Sequence, residues 1–259
     1  MMISINGVIE PSNHFDWLSD SGYQYGYGWF ETMRFHNGTI PLLDAHQDRL
    51  THSLSCLHID YEPDGLYDRI ISLANALDLT HDATCKVYVS GGNVTPTPQF
   101  KSSPTEIITF SSMPPHDFLT QCAFKPIIPS DIFQHKSMAY AHHIQALKTS
   151  SQWPIYVDKN RFIIDSAIFS VGMIHGTAIT FASHDQQLPS VSRQTIMNQC
   201  PNTTHAPIHQ DDWNSADAHL GCNALRGAFP ISMTTPHPPM HPVIDEINTA
   251  LGFNARDLG

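Results

Sequence analysis

Two Asn-Gly pairs near the start of the chain, Asn6-Gly7 and Asn37-Gly38, each stand between short apolar runs. Asn and Gly both accept positive φ at low cost, which is what a tight two-residue hairpin turn demands. The first third of the chain is therefore committed to antiparallel β-structure. Ile3 to Ile9 reads as one hairpin, and Trp29 to Phe35 with Thr39 to Leu42 as a second. Asp44 then caps a helix whose apolar stripe is Leu43, Leu50, Leu54 and Leu57, and a further helix is expected from Leu66 to Leu79. Cys85 to Ser90 and Ile107 to Ser111 look like strands, and Pro114-Pro115 closes this half.

The second half opens on a strand, Cys122 to Ile128, followed by a segment from Ser137 to Lys148 that reads as helical. Ile163 to Ile174 and Ala178 to Phe181 are β-rich, and Ser192 to Gln199 forms a short helix. Ala218 to Asn223 and Phe229 to Met233 are expected strands, and Val243 to Leu251 a final helix. Pro236 to Pro242 is a stiff surface connection. The expectation is an α+β chain in two domains, 1–113 and 114–259.

Charge and cysteine content narrow the function. The chain has 24 Asp and Glu against 13 Lys and Arg, a net −11, which argues against a nucleic acid partner because phosphate binding needs clustered cations. The five cysteines are widely spaced and form no C-x-x-C pair, so neither a structural zinc site nor a disulfide framework is expected. No metal site is expected elsewhere. No apolar run reaches membrane-spanning length and the first residues lack a signal-peptide pattern, so a cytoplasmic location and no membrane partner are the expectation.

Three weak chemical signals remain. Lys136 lies between an apolar strand segment and a helix start, where partial desolvation would leave a nucleophilic amine. His46 and Arg49 share a helix face, and an inward arginine needs an anion, either a neighbouring carboxylate or a bound phosphate. Leu188 to Arg193 is a loop feeding a helix whose first amides form an anion site, and Gly221-Cys222-Asn223-Ala224 offers further amides after a strand. Taken singly, a surface lysine, an Arg–carboxylate pair and a Ser-capped helix are the commoner accounts of these features.

Their order in the chain adds to them. The block GYGWFETMRFHNGTIPLLDAHQDRL resembles the fold-type IV pyridoxal phosphate enzymes, also called class IV aminotransferases. These carry an aromatic-G-x-G-x-F-E-T-x-R hairpin followed by H-x-x-R-L. The later block ADAHLGCNALRGAFPI, with its Cys-Asn-Ala-Leu core, is most similar to the aminodeoxychorismate lyase branch. The resemblance implies a two-domain fold-type IV (D-amino acid aminotransferase-like) architecture whose C-terminal domain carries the cofactor lysine. It also implies a homodimer, pyridoxal 5'-phosphate as cofactor and a small-molecule amino substrate.

By position, Lys136 would form the Schiff base and transfer the proton. Arg49 would hold the phosphate with the backbone N–H groups of Val191, Ser192 and Ala224. Tyr140 would approach the phenolic oxygen, Tyr25 and Phe30 would line the substrate side, and Asn223 would lie close by. Asp165 would stand at the pyridine nitrogen, where a carboxylate keeps the ring protonated. The segment RFIIDSAIFSV is about three residues short of the family pattern, so aligned from its other end Phe162 takes that place. Ser190 replaces a family glycine, Ala139 a frequent asparagine, and Gly91 a frequent substrate-binding arginine. The implied reaction converts 4-amino-4-deoxychorismate to 4-aminobenzoate and pyruvate. Transamination of branched-chain or D-amino acids is the alternative, and a non-catalytic binding protein a second one.

Overall fold

The computed structural model describes residues 1–93, 103–114 and 120–253. It divides into two compact units: Met1–Pro114 with His135–Tyr140, and Pro115–Gln134 with Ala141–Gly259. Of the expected boundary between 113 and 114, both residues are described, while residues 115–119 lie outside the described ones.

In the first unit, β1 (Met2–Ile5) and β2 (Val8–Pro11) form the hairpin turned by Asn6 and Gly7, both at positive φ. A short helix α1 (Ser21–Tyr25), capped by Asp20, leads into β3 (Gly28–Phe35). Helices α2 (Leu43–Cys56) and α3 (Leu66–Ala76) follow, then β4 (Ala83–Ser90) and β5 (Thr105–Ser112). The sheet order is β2-β1-β5-β4-β3, with β3 at the edge. Its core joins Trp29, Met33, Val87 and Ile108 of the strands to Leu50, Leu54, Ile70 and Leu73 of the helices. Each such burial removes enough apolar surface from water to contribute about 1.5–3 kcal/mol.

Two local expectations are corrected here. Thr39 to Leu42 makes only a single bridge, His36 with Thr39, and no strand. Asp44 lies in the first turn of α2, while Leu42 occupies the cap position in left-handed conformation and makes no side-chain bond. The carboxylate still favours the helix N-terminus through the backbone dipole.

The second unit contains β6 (Cys122–Pro126), α4 (Ala141–Lys148), β7 (Trp153–Val157) and β8 (Ile163–Ser166), the strands forming a three-stranded sheet in the order β6-β7-β8. A five-stranded sheet has the order β11-β10-β9-β12-β13. Its strands are β9 (Ser170–His175), β10 (Ala178–Ala182), β11 (Thr203–Ala206), β12 (Ala218–Asn223) and β13 (Gly227–Pro230). Helices α5 (Val191–Gln199) and α6 (Pro242–Ala250) belong with this sheet, joined through Ile174, Phe181, Ile196, Leu220, Val243 and Ile247. Val171, Met173 and Phe229 instead join Ile155, Ile163 and Trp213 in a separate core.

The helix expected from Ser137 starts only at Ala141. Residues 135–140 are irregular, bridged to the open edge of β3 at Ser137, so the lysine segment belongs to the first unit and not, as expected, to the C-terminal one. The physical reason is an edge strand whose N–H and C=O groups need partners: Phe30 donates to the Lys136 carbonyl at 2.9 Å and Met138 donates to the Gly28 carbonyl at 3.0 Å.

Gly28 is what lets the segment approach. A Cβ there would stand 2.5 Å from the Val89 carbonyl oxygen and 2.7 Å from the Met138 sulfur. Gly28→Ala is therefore expected to destabilise the fold by about 1–3 kcal/mol. The amide of Met138 should also exchange faster with solvent hydrogen. Unchanged melting and exchange would show that the contact is not tight.

Candidate active site

The backbone bonds to β3 fix where Lys136 points. Trp29 and Ser137 are bridge partners and Phe30 donates to the Lys136 carbonyl, which sets Lys136 against Phe30. Its ammonium stands 4.7 Å from the centroid of the Phe30 ring. Tyr88 stacks on the same ring at 5.7 Å and Tyr140 meets it edge-on at 5.7 Å. The neighbouring His135 falls on the other face, stacked on Trp29 at 4.9 Å and bonded through Nδ1 to the Ser53 hydroxyl at 3.0 Å.

Lys86, opposite Thr32 on β3, puts a second ammonium 5.9 Å from the Phe30 ring. By sequence alone it reads as an ordinary solvated lysine. It is half-buried, burial pulls its pKa down, and no carboxylate pairs with it among the described residues. A desolvated cation beside a second cation favours an anionic ligand.

The opposite face of β3 carries Glu31, almost wholly buried. Arg49 grips it with two bonds, Nε to Oε1 at 2.8 Å and Nη2 to Oε2 at 2.5 Å, and His46 Nδ1 donates to Oε2 at 2.8 Å. Burial pushes the Glu31 carboxyl upward, but the Arg49 guanidinium and the His46 bond outweigh it and hold it at about 2. Burial lowers the pKa of His46, so this ring is neutral and uses its Nδ1–H on Glu31. The carboxylate that an inward Arg49 requires is thus Glu31, which sequence reasoning did not single out. Its signal was a charged residue inside an otherwise apolar strand. Tyr25, at the end of α1, is 63 % exposed and makes no ring contact with Phe30.

A second charged centre lies in the second unit. Asp165, near the end of β8, accepts from the Ser166 N–H at 3.0 Å and from the Ser170 hydroxyl at 3.4 Å. Burial raises its pKa to about 7, against the pull of Arg193, Ser166, Ser170 and Gln187. Arg193, itself buried, donates to the Leu188 carbonyl at 3.2 Å and the Ser170 hydroxyl at 3.5 Å. Phe162 instead packs edge-on against His209 at 5.3 Å.

Ser190 caps α5 by accepting from the Arg193 N–H, which leaves Val191 and Ser192 as its first two residues. Helix geometry gives their N–H groups no acceptor within α5, although both residues are buried. After β12, Asn223 accepts from the N–H groups of Leu225 and Arg226 and donates to the Ile168 carbonyl at 3.2 Å. This holds the turn containing Ala224 to the connection that follows Asp165.

These groups suit pyridoxal phosphate. In the second unit the buried first-turn amides suit an anionic tail and the buried carboxylate a ring nitrogen; in the first, a primary amine over an aromatic ring suits an aldehyde.

The raised pKa of Asp165 has a consequence for stability. The folded chain binds this proton more tightly than the unfolded chain, so the contribution is complete below about pH 4 and is lost as pH rises through 7. Asp165→Asn, stripped of cofactor, is expected to melt about 3 °C or more above the parent at pH 8 and at the same temperature at pH 4. Thermal denaturation at both pH values checks this.

A sequence model of the amino-transferase class IV family matches residues 28–233. The aminodeoxychorismate lyase of Bacillus subtilis is 26% identical over 221 residues, covering 76% of this chain and 72% of that protein. The fold is similar to that of the 4-amino-4-deoxychorismate lyase from Pseudomonas aeruginosa, with TM-score 0.82, 17% identity and coverage of 96% and 97% of the two chains. A hypothetical aminotransferase from Mycobacterium tuberculosis in its PLP-bound form gives TM-score 0.85 at 16% identity, with 97% and 98% covered. At such identities these two likenesses carry the fold alone. With more than half its length matched, the chain belongs to the class IV aminotransferases, the fold-type IV family of pyridoxal-phosphate-dependent enzymes.

Proposed function

We propose that the protein is a lyase that splits 4-amino-4-deoxychorismate into 4-aminobenzoate and pyruvate. The observation that carries this is the match to the Bacillus subtilis aminodeoxychorismate lyase, spread over 76% of the chain. The Cys222-Asn223-Ala224-Leu225 core and the Lys86 ammonium at the Phe30 ring support it. The substrate carries two carboxylates, and Gly91 offers none of the cationic recognition that an arginine would provide. Lys86 supplies a cation on the same face as Lys136.

Pyridoxal phosphate, when bound, supplies an aldehyde for the substrate amine and an electron sink for the bond that breaks. Lys136 would hold the cofactor covalently and then move the proton at the amine-bearing carbon of the substrate. Arg49, kept in place by Glu31, and the amides of Val191, Ser192 and Ala224 would bind the phosphate. Asp165 would hold the proton at the pyridine nitrogen, with Asn223 nearby. Tyr140 would approach the phenolic oxygen, and Phe30 would line the substrate side, with Tyr25 at its margin. Loss of pyruvate leaves an aromatic ring, so the reaction needs no oxidant and no second substrate.

Transamination is the second reading, favoured by the structural likeness to an aminotransferase of equal closeness. Incubation with 4-amino-4-deoxychorismate separates the two. Equimolar 4-aminobenzoate and pyruvate is the expected outcome, whereas a keto acid formed from added amino acids would replace the lyase by the transaminase. Borohydride reduction should add the cofactor mass to the peptide containing Lys136, and Lys136→Ala should lose both that mass and turnover. Lys86→Met is expected to lower kcat/KM about 10-fold or more, mainly through KM, as loss of an ionic contact to substrate would. An unchanged KM would remove Lys86 from substrate binding.

A further inference from the structure

The buried carboxylate in the second unit has a neighbour that the roles above leave unused. Gln187 is 6 % exposed. It sits in the loop between β10 and α5, with its backbone N–H donating to the His184 carbonyl at 3.1 Å. Its side-chain carbonyl Oε1 lies 3.2 Å from His205 Nε2, and the same ring nitrogen lies 3.0 Å from the Ala182 carbonyl oxygen. Ala182 can only accept, so His205 Nε2 carries the proton and donates to both oxygens. A donating His205 fixes the Gln187 amide: turned the other way, its NH2 group would face an N–H. The NH2 group is therefore aimed inward. There it is buried without a hydrogen-bond acceptor of its own, and the carbonyl of the next residue, Leu188, leads through Arg193 and Ser170 to the Asp165 carboxylate.

A buried amide donor left unmade costs about 1–3 kcal/mol, so such a group persists where an acceptor makes use of it. We infer that Gln187, oriented by His205, is a positioning residue for Asp165, its inward N–H donating to the carboxylate whenever Asp165 is ionised. The first link of this relay, the His205 ring, lies on β11 at the edge of the sheet, and the last is the carboxylate. Asp165 is a short side chain, already served by one backbone N–H and one hydroxyl at 3.4 Å. A third donor is what burial most requires if the ionised form is to be held there.

The inference rests on the proposed role of Asp165 for its consequence, a carboxylate kept ionised against a protonated ring. Its test does not. The other charged or titratable groups that act on Asp165 are Arg193 on α5 and Cys222 on β12. Neither changes in the variants proposed.

The carboxyl carbon of Asp165 can be followed by NMR against pH in the full chain freed of cofactor, in the parent, Gln187→Leu and His205→Phe. The ionisation midpoint is expected to rise by about one pH unit or more in Gln187→Leu. In His205→Phe, which leaves the amide in place but unlocked, it should rise in the same direction by less. Gln187→Glu, whose charge would oppose the carboxylate, should raise it further. An unmoved midpoint in folded Gln187→Leu overturns the inference, as does an unmoved midpoint in His205→Phe if the first variant does not fold. Lyase turnover is assayed separately: a chain with the expected midpoints that never forms 4-aminobenzoate keeps the inference and loses the proposed reaction.

Discussion

Two backbone hydrogen bonds between residues 136–138 and the edge of β3 decide most of what this protein can do. They are ordinary N–H to C=O contacts at 2.9 and 3.0 Å. By extending the sheet with one more stretch of chain, they turn a lysine that follows an irregular loop into one with a fixed face and a fixed height. The same contacts use up the open edge of β3, which would otherwise present unpaired groups to solvent or to other chains. Gly28 is the condition for this arrangement, because a side chain there would meet a backbone carbonyl that cannot move aside.

The sheet of the first unit separates two kinds of chemistry. One face of β3 carries Glu31 with Arg49 and His46, a buried group whose charges neutralise one another and whose hydrogen bonds are used in fixed directions. Breaking such a set by removing one partner leaves a charge uncompensated, so the group acts as a rigid mount for the guanidinium. The other face has two ammonium groups around one aromatic ring. The first arrangement is satisfied within the chain.

In the second unit the balance is tipped the other way. Asp165 has donors around it, but burial still wins and its carboxyl titrates at about 7. A carboxylate so poised responds to a nearby positive charge by ionising, which is the behaviour a protonated ring nitrogen requires of its partner. The cost is a destabilising group near neutral pH, consistent with functional sites being places where stability is given up.

The sequence by itself determined the family, the Asn-Gly turns and most of the strands and helices. Those rest on local rules: Asn-Gly turns, apolar periodicity and a run of residues in fixed order from Tyr25 to Leu50. What it left undecided depends on contacts between residues far apart in the chain. The irregular path of residues 137–140 along β3 looked helical because local propensity cannot register an open strand edge a hundred residues earlier. Glu31 as the partner of Arg49, Lys86 as a half-buried cation and Gln187 as a donor held by His205 all follow from pairings across sheets and loops. Only the folded chain decides how far each of these groups is removed from water, and that burial sets their charge.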